Sequence, residues 1–366
     1  MRPSLRITTL VFVLGWLVAC ATAAPSPTVT SAPAATPWPT PAPTLAQSLR
    51  GAAFSHNILV GAAVQPALIQ KDPQYAATLA REYSALTPEN AMKFGPLRPT
   101  RTAFNFDDAD FLVNFAQAHG MKVRGHTLIW HKQLPDWLTS GTFTRDELIA
   151  IMREHISTVV GRYRGRIYAW DVVNEAIADD GTGNLRDTIW SKGIGPDYID
   201  MAFKLAHEAD PDAKLFYNDF DAEGSGPKSD AVYALVKGMK ERGVPIDGVG
   251  FQSHFKLGQL PDAADVDANM KRLAALGLQV QVTELDIRIN LPNTDEDLQD
   301  QASQYRGYLQ VCLDNSNCTM FVTWGFTDKY SWIPDNYYSQ GAALPFDEAY
   351  QPKPAYQALM DTLAGK

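Results

Sequence analysis

The chain has 366 residues, of which 45% are hydrophobic and 20% charged, so it can bury one large core or two ordinary ones and is not intrinsically disordered. Its 32 Lys and Arg against 41 Asp and Glu give a net charge of -9. That balance leaves no basic surplus for neutralising phosphates, so we expect no nucleic-acid partner. No apolar run reaches the ~20 residues of a membrane helix, which excludes a multi-pass membrane protein.

The first twenty residues have the layout of an export signal. Arg2 and Arg6 precede the apolar stretch ITTLVFVLGWLVA, as in the charged and hydrophobic regions of a secretory signal. The segment ends in the tetrad LVAC, which resembles the lipobox of bacterial lipoproteins and predicts lipidation of Cys20. Ordinary cleavage near Ala24 is the alternative. We therefore expect an exported protein, secreted or held at the cell surface by lipid, with no other membrane contact.

Residues 21–45 contain seven prolines and no charged residue. Such a composition cannot form a packed core and favours extended conformations, so this segment is predicted to be a linker. The resulting domain organisation is a signal peptide at 1–20, a Pro/Ala/Thr-rich linker at 21–45 and a single folded domain at 46–366.

Short β-branched runs alternate with helical patterns from about Ser48 onward, as in βα units around a parallel sheet. The eight runs are ILVGAAV near 59, YSALTPEN near 86, and those at 122–130, 167–176, 214–220, 248–255, 279–287 and 319–328. The clearest helix is Arg145–Tyr163, which Thr144 and Glu147 introduce with a capping-box pattern. The other predicted helices cover 72–83, 107–119, 197–208, 228–242, 263–276, 296–313 and 354–364.

Eight strand–helix units in about 320 residues predict a (β/α)8 TIM barrel in the α/β class. A doubly wound sheet is the alternative, but no Gly-rich phosphate loop follows the first strand. Seven of the predicted strands end in polar or aromatic residues, at the end where barrel active sites are built. These residues are Glu89 and Asn90, His126 and Trp130, Asn174 and Glu175, Asn218 and Asp219, Gln252 and His254, Glu284 and Asp286, and Trp324.

Two of these residues, Glu175 and Glu284, suggest the chemistry. Paired carboxyl groups carry out glycoside hydrolysis, in which one donates a proton to the leaving oxygen and the other attacks the anomeric carbon. Asn174 could hold a sugar hydroxyl. His254 and Asp286 could form a hydrogen-bonded chain that keeps Glu284 ionised and oriented.

The segments WDVVNEA at 170–176 and VTELDI at 282–287 resemble the acid/base and nucleophile signatures of glycoside hydrolase family 10, the retaining endo-β-1,4-xylanases. The resemblance extends over roughly residues 50–366 and includes LTPENAMKF, GHTLIWHKQLPDWL, AKLFYNDF, GFQSHF and TWGFTDKYSWIP. It implies endo-hydrolysis of xylan through a covalent glycosyl-enzyme, with Glu175 as acid/base and Glu284 as nucleophile. The side chains that it implies at the sugar subsites are Glu89, Asn90, Lys93, His126, Trp130, Gln133, Asn174, Tyr217, Gln252, His254, Trp324 and Trp332.

Cys312 and Cys318 remain as an even pair if Cys20 carries lipid, and in an oxidising compartment they predict a disulfide; two unpaired buried thiols are the alternative. The sequence has no convincing metal-ligand spacing, so we expect neither metal nor cofactor. The expected partner is a polysaccharide, xylan or xylo-oligosaccharides, and the expected state is a monomer.

Two other functions are compatible with the same carboxyl groups. A β-glucanase would share their placement, and a surface glycan-binding protein would keep the barrel without catalysis. The second is disfavoured because both Glu residues and their supporting side chains are intact. A serine hydrolase and a nucleotide enzyme are disfavoured because no G-x-S-x-G elbow and no P-loop occur.

Overall fold

The computed structural model describes residues 47–366, and in this range eight parallel strands form a closed barrel. The predicted signal peptide, lipidation site and linker lie outside these residues. The barrel strands are β1 (Leu59–Val64), β2 (Ala85–Pro88), β3 (Lys122–Gly125), β4 (Ala169–Asn174), β5 (Lys214–Asp219), β6 (Gly248–Phe251), β8 (Gln279–Asn290) and β9 (Cys318–Thr323). Two short strands lie beside β8: β7 (His254–Lys256) pairs parallel to it and β10 (Gln340–Gly341) antiparallel.

Strand pairing settles the fold class. Each barrel strand pairs in parallel with the next, and β9 pairs with β1, with Leu59 opposite Met320, which closes the sheet. The TIM barrel is confirmed, and its strands coincide with the eight predicted runs. The doubly wound alternative is wrong because an open sheet has two unpaired edge strands.

Helices connect successive strands. They are α1 (Leu49–Phe54), α2 (Pro66–Lys71), α3 (Pro73–Glu82), α4 (Phe94–Leu97), α5 (Asp107–Ala118), α6 (Asp136–Thr139), α7 (Arg145–Arg162), α8 (Ile189–Gly193), α9 (Tyr198–Ala209), α10 (Pro227–Glu241), α11 (Ala263–Ala275), α12 (Asp295–Asp314), α13 (Ile333–Asn336) and α14 (Pro354–Leu363), with a 3-10 helix at Asp328–Tyr330. All eight predicted helices are present. The six helices that the sequence did not predict have four to six residues each, too few to show a helical period.

Helix α7 illustrates how local sequence determines these elements. The Thr144 hydroxyl accepts a hydrogen bond from the Glu147 amide, and the Glu147 carboxylate accepts one from the Thr144 amide at 2.8 Å. This reciprocal cap satisfies two amides that a helix start leaves unpaired. Leu148, Ile151 and Ile156 are buried on one face of the helix, at the spacing that its sequence indicates.

The barrel interior contains a buried charge pair beneath the carboxyl ends of the strands. Arg124 of β3 and Asp171 of β4 are both buried and form an ion pair, and the Arg124 guanidinium also donates to Gln281 of β8. The Arg124 guanidinium lies 4.7 Å from the centre of the Phe216 ring. Because each charged or polar group has a partner, this layer can fill the barrel without an uncompensated buried charge.

A disulfide joins Cys312 near the end of α12 to Cys318 at the start of β9, so the predicted pairing is confirmed. It closes a short loop at the amino-terminal end of that strand, away from the carboxyl ends where barrel active sites are built. Within residues 47–366, no helix has the length and apolarity that crossing a membrane requires.

Candidate active site

Glu175 and Glu284 are brought to the same end of the barrel by β4 and β8. Glu175 directly follows β4 with a backbone φ of 55°, and Glu284 lies within β8. Their exposed fractions are only 6% and 5%. Two carboxyl groups are therefore withdrawn from bulk water at the end of the barrel where the sequence predicts the site.

A chain of amide side chains connects the two carboxyl groups. The Asn218 amide donates to Glu284 Oε1 and to Asn174 Oδ1, at 2.8 Å in each case. The Asn174 amide donates to Glu175 Oε1 at 3.1 Å, and the Gln252 amide donates to the same oxygen at 3.1 Å. Asn and Gln side chains are neutral and do not exchange protons with the carboxyl groups. Their hydrogen bonds therefore fix the positions of both carboxyl groups.

Glu284 also lies at the end of the predicted His–Asp chain. His254 Nε2 is 3.1 Å from Glu284 Oε2, and His254 Nδ1 is 3.0 Å from Asp286 Oδ2. The same Asp286 oxygen accepts a hydrogen bond from the Trp332 indole at 2.8 Å. Asp286 thus orients two groups that face the site, a histidine and a tryptophan.

These contacts determine the charge of Glu284. Burial acts to raise the pKa of its carboxyl, but the charge of His126 and the hydrogen bond from His254 outweigh burial and lower that pKa to about 2. Burial acts to lower the pKa of His254, but Asp286 and Glu284 raise it well above its ordinary value. Glu284 is therefore ionised and His254 protonated at neutral pH.

Glu175 has a different environment. Its Oε1 accepts two amide hydrogen bonds, whereas its buried Oε2 has no hydrogen-bond partner among residues 47–366. A carboxyl proton needs an oxygen that is not already accepting from fixed donors. Oε2 is consequently the oxygen of Glu175 that accepts no hydrogen bond from the described residues and can carry a proton.

A second polar group, formed by the ends of β2 and β3, contains four of the predicted sugar contacts. The Lys93 ammonium donates to Asn90 Oδ1 at 3.0 Å, and the Gln133 amide reaches the same oxygen at 3.3 Å. Glu89 accepts from the Asn90 amide at 3.3 Å and from the Gln65 amide at 3.1 Å. The sequence did not indicate Gln65, which follows β1 directly but was not among the polar strand ends.

Burial changes the acidity of this group. Burial raises the pKa of Glu89 and outweighs the hydrogen bond from Gln65, which acts to lower it. Burial also lowers the pKa of Lys93 and outweighs the attraction of Glu284, Glu89 and Glu175, which acts to raise it. Lys93 is thus coupled electrostatically to both central carboxyl groups.

Aromatic rings surround the polar centre. The Lys93 ammonium lies 5.0 Å from the centre of the Trp130 ring and 5.8 Å from that of Trp324. Trp324 is edge-on to His254 at 6.2 Å, and Trp332 is edge-on to His254 at 5.1 Å. The three predicted tryptophans therefore lie near the charged groups, and flat rings here can pack against the apolar face of a sugar.

The Arg124–Asp171 pair adds two residues that the sequence reasoning missed. His126 Nδ1 is 3.0 Å from Asp171 Oδ2 and 3.9 Å from Glu284 Oε1. Asp171 therefore supports the imidazole whose charge lowers the pKa of Glu284. A signal was present in the sequence, because a charged residue inside an apolar strand requires a partner of opposite charge.

Tyr217, predicted as a sugar contact, lies beneath the site. It is completely buried, and its hydroxyl accepts from the amides of Ala176 at 3.0 Å and Ile177 at 3.2 Å. The same hydroxyl donates to Asp219. All hydrogen-bonding positions of Tyr217 are thereby used within the protein, so it acts on the backbone that follows Glu175.

Several known proteins are similar to this chain. Residues 48–362 match the family described as Glycosyl hydrolase family 10. Endo-1,4-β-xylanase B of Thermotoga neapolitana is 45% identical over 294 residues, which cover 80% of this chain and 84% of that protein. The crystal structure of xylanase 10B from Thermotoga petrophila in complex with xylobiose is 44% identical with a TM-score of 0.85, covering 87% of this chain and 97% of the other. Native xylanase 10B from Thermotoga maritima has the same identity and TM-score, with 87% and 98% covered.

Proposed function

The chain belongs to glycosyl hydrolase family 10, and from that premise we propose that it hydrolyses internal β-1,4 linkages of xylan with retention of anomeric configuration. The observation that carries the proposal is the unequal environment of two buried carboxyl groups joined by one amide chain: both oxygens of Glu284 are hydrogen-bonded, whereas Glu175 Oε2 is without a partner in the described residues. The relatives named as endo-1,4-β-xylanases and the neighbour bound to xylobiose support xylan as the substrate.

Glu284 is the proposed nucleophile. A carboxylate that attacks the anomeric carbon must be ionised before the sugar arrives, and the lowered pKa of Glu284 meets that requirement. The Asn218 amide and His254 hold its two oxygens, which restricts its rotation and reduces the entropy lost on attack. The product of this step is a covalent glycosyl-enzyme.

Glu175 is the proposed acid/base. Its Oε2 donates a proton to the glycosidic oxygen as the bond breaks, and the resulting carboxylate then accepts a proton from the water that hydrolyses the intermediate. The Asn174 and Gln252 amides hold Oε1 throughout, so the same oxygen can serve in both steps. Asn174 therefore positions Glu175, in addition to its proposed contact with a sugar hydroxyl.

We assign sugar binding to the polar group and the tryptophans around the two carboxyl groups. The assigned residues are Glu89, Asn90, Lys93, His126, Trp130, Gln133, Gln252, Trp324 and Trp332. Hydroxyl groups of a sugar ring pair with the amides and charged side chains, and the indoles cover its C–H face. Tyr217 is assigned a positioning role because its hydroxyl is fully used by the protein.

The proposed enzyme acts outside the cell as a monomer without a cofactor. Its plan is an export signal at 1–20, lipid on Cys20, a linker at 21–45 and a catalytic domain at 46–366. An extended linker would hold the barrel away from the membrane, which suits an insoluble polymer that cannot diffuse to the enzyme.

Product analysis tests this function. Purified protein is incubated with β-1,4-xylan and, in parallel, with cellulose, and products are followed by chromatography and by proton NMR within the first turnovers. We expect oligosaccharides of intermediate length from xylan alone, with the β-anomer formed first. Preferred cleavage of cellulose would contradict the substrate assignment, and an initial α-anomer would contradict the retaining mechanism. Glu284→Gln is the control for contaminating activity.

A further inference from the structure

The peptide group that follows Glu175 is held from both sides by side chains. Its carbonyl accepts a hydrogen bond from Arg186 Nε at 3.0 Å, and its amide, which belongs to Ala176, donates to the Tyr217 hydroxyl at 3.0 Å. Glu175 has a positive φ of 55°, a conformation that non-glycine residues adopt only where the surroundings impose it. These two hydrogen bonds are therefore candidates for what fixes the orientation of the acid/base.

The two anchors belong to one closed ring of interactions. Tyr217 donates to Asp219, which is paired with the Lys228 ammonium at 3.0 Å. Lys228 also pairs with Asp179 at 2.8 Å, and Asp179 pairs with Arg186 at 2.6 Å. We call these five residues the Asp219 ring. It starts and ends on the same peptide group, the one that follows Glu175.

Asp219 is the buried charge of this ring, and the proposed mechanism does not use it. It has no exposed surface, and burial raises its pKa to about 6 against Lys228 and Tyr217. Removing a carboxylate from water is costly unless it is paired and hydrogen-bonded, and Lys228 and Tyr217 provide those contacts here. Asp219 is therefore held in place by two other members of the ring.

The hydrogen-bonding capacity of Tyr217 indicates what Asp219 does. A phenol hydroxyl has one proton and two lone pairs, and here both lone pairs receive backbone amides, from Ala176 and Ile177. This arrangement requires the phenol proton to point elsewhere, toward a group that only accepts. An ionised Asp219 is such a group. An amide in its place could donate to the phenol oxygen and compete with the two backbone amides.

We propose that Asp219 is a positioning residue for the acid/base: through Tyr217 it fixes the backbone after Glu175, so that Oε2 meets the leaving oxygen. This inference rests on the proposed function of Glu175. A positioning role can be distinguished from a purely stabilising one. Misplacing the acid/base slows cleavage only of those substrates whose leaving group needs a proton.

The test compares two substrates in the Asp219→Asn and Tyr217→Phe variants. We expect kcat/KM for xylopentaose to fall roughly 10- to 100-fold, since a displacement of about 1 Å costs about that much. For 2,4-dinitrophenyl β-xylobioside, whose leaving group needs no proton, kcat/KM should change less than roughly 3-fold. Its kcat and KM should nevertheless fall together, because a misplaced general base lets the glycosyl-enzyme accumulate.

Asp210→Asn is the matched control. Asp210 is also a fully buried aspartate, but it follows α9, accepts hydrogen bonds from the backbone amides of Gly165 and Asp212, and takes no part in the ring. It should alter the thermal stability without changing the ratio of the two kcat/KM values. If Asp219→Asn does not fold, Lys228→Met weakens the same ring from its less buried side and should change the ratio in the same direction.

Equal losses on both substrates in the Asp219 and Tyr217 variants would overturn the inference, as would an unchanged kcat/KM for xylopentaose. Neither outcome would affect the proposed function, which is tested by the wild-type protein. If the wild-type protein cleaves neither xylan nor xylopentaose, the proposed function itself fails.

Discussion

Glu284 accepts hydrogen bonds at both oxygens, whereas Glu175 leaves Oε2 without a partner among the described residues. The two side chains are chemically identical, so their neighbours must assign their tasks. Fixed donors and nearby positive charge favour the carboxylate form, as at Glu284. An oxygen without a donor is available to carry a proton, as at Glu175. This division agrees with the roles that the two sequence signatures predict.

Azide should distinguish the roles of Glu175 and Glu284. Glu175→Ala should lose roughly 10² to 10⁴ in rate on xylan, because general-acid help is worth about that much. On an activated aryl glycoside the glycosyl-enzyme should still form, and azide should then restore turnover and yield the β-glycosyl azide, which NMR identifies.

Glu284→Ala provides the complementary result. Without the nucleophile no intermediate forms, so azide can only displace the aryl group directly and should yield the α-azide. The same anomer from both variants would refute the two assignments. If Glu175→Ala lost the same factor in rate on activated and unactivated substrates, the role of Glu175 as acid/base would also be refuted.

His254 should control the acidic limb of the pH profile. Its charge and hydrogen bond help to hold the pKa of Glu284 at about 2, so loss of both in His254→Asn should raise that pKa. Activity requires ionised Glu284 and is lost as pH falls through its pKa. The acidic limb of kcat/KM should therefore move up by about one pH unit or more. His119→Asn, which changes an exposed histidine on the end of α5, is the control and should leave the limb in place. An unshifted limb in His254→Asn would contradict this account.

At the scale of elements, the sequence predicted all eight barrel strands and the eight long helices, because period, capping and turn signals are local. It did not predict the partners of buried charges. Arg124 and Asp171 are 47 positions apart, and only the parallel pairing of β3 with β4 brings them together. The Asp219 ring has the same property at one contact, since Lys228 and Asp179 are 49 positions apart. The sequence around a buried charge indicates that a partner is needed, but not which distant residue provides it.

The disulfide between α12 and β9 should stabilise the fold locally without affecting catalysis. Cys312 and Cys318 are six positions apart, and closing so short a loop contributes roughly 2 kcal/mol in the chain-entropy model. The double variant Cys312→Ala/Cys318→Ala should lose about that much in free energy of unfolding, measured with guanidinium. Its kcat/KM on xylan should be unchanged, because the bond lies at the amino-terminal end of β9.

Dithiothreitol provides the control for the disulfide prediction. It should destabilise the wild-type protein by the same amount and have no effect on the double variant. A loss of activity in the folded double variant would show that the bond also shapes the site. Equal stability of the two proteins would contradict the predicted contribution.

At the scale of the whole molecule, the net charge of -9 is compatible with the neutral sugar polymer proposed as the substrate, because such a polymer needs no basic surface. The sequence motifs identified the function more fully than the connections that support it. WDVVNEA and VTELDI carry both carboxyl groups, and AKLFYNDF and GFQSHF carry Asn218 and Gln252, but only the fold shows that these two amides hydrogen-bond to the carboxyl groups.

The proposed lipid on Cys20 should cause the protein to associate with membranes. Residues 17–20 read LVAC, and an uncharged linker follows them, a layout that would anchor the protein and let the barrel reach a polymer at a distance. Wild-type protein expressed in a bacterium with lipoprotein processing should partition with membranes and incorporate labelled fatty acid. Cys20→Ser should lose both properties while its kcat/KM on soluble xylo-oligosaccharides stays unchanged, because the substitution is distant in sequence from the catalytic domain. Soluble wild-type protein with a free amino terminus near Ala24 would show ordinary cleavage instead.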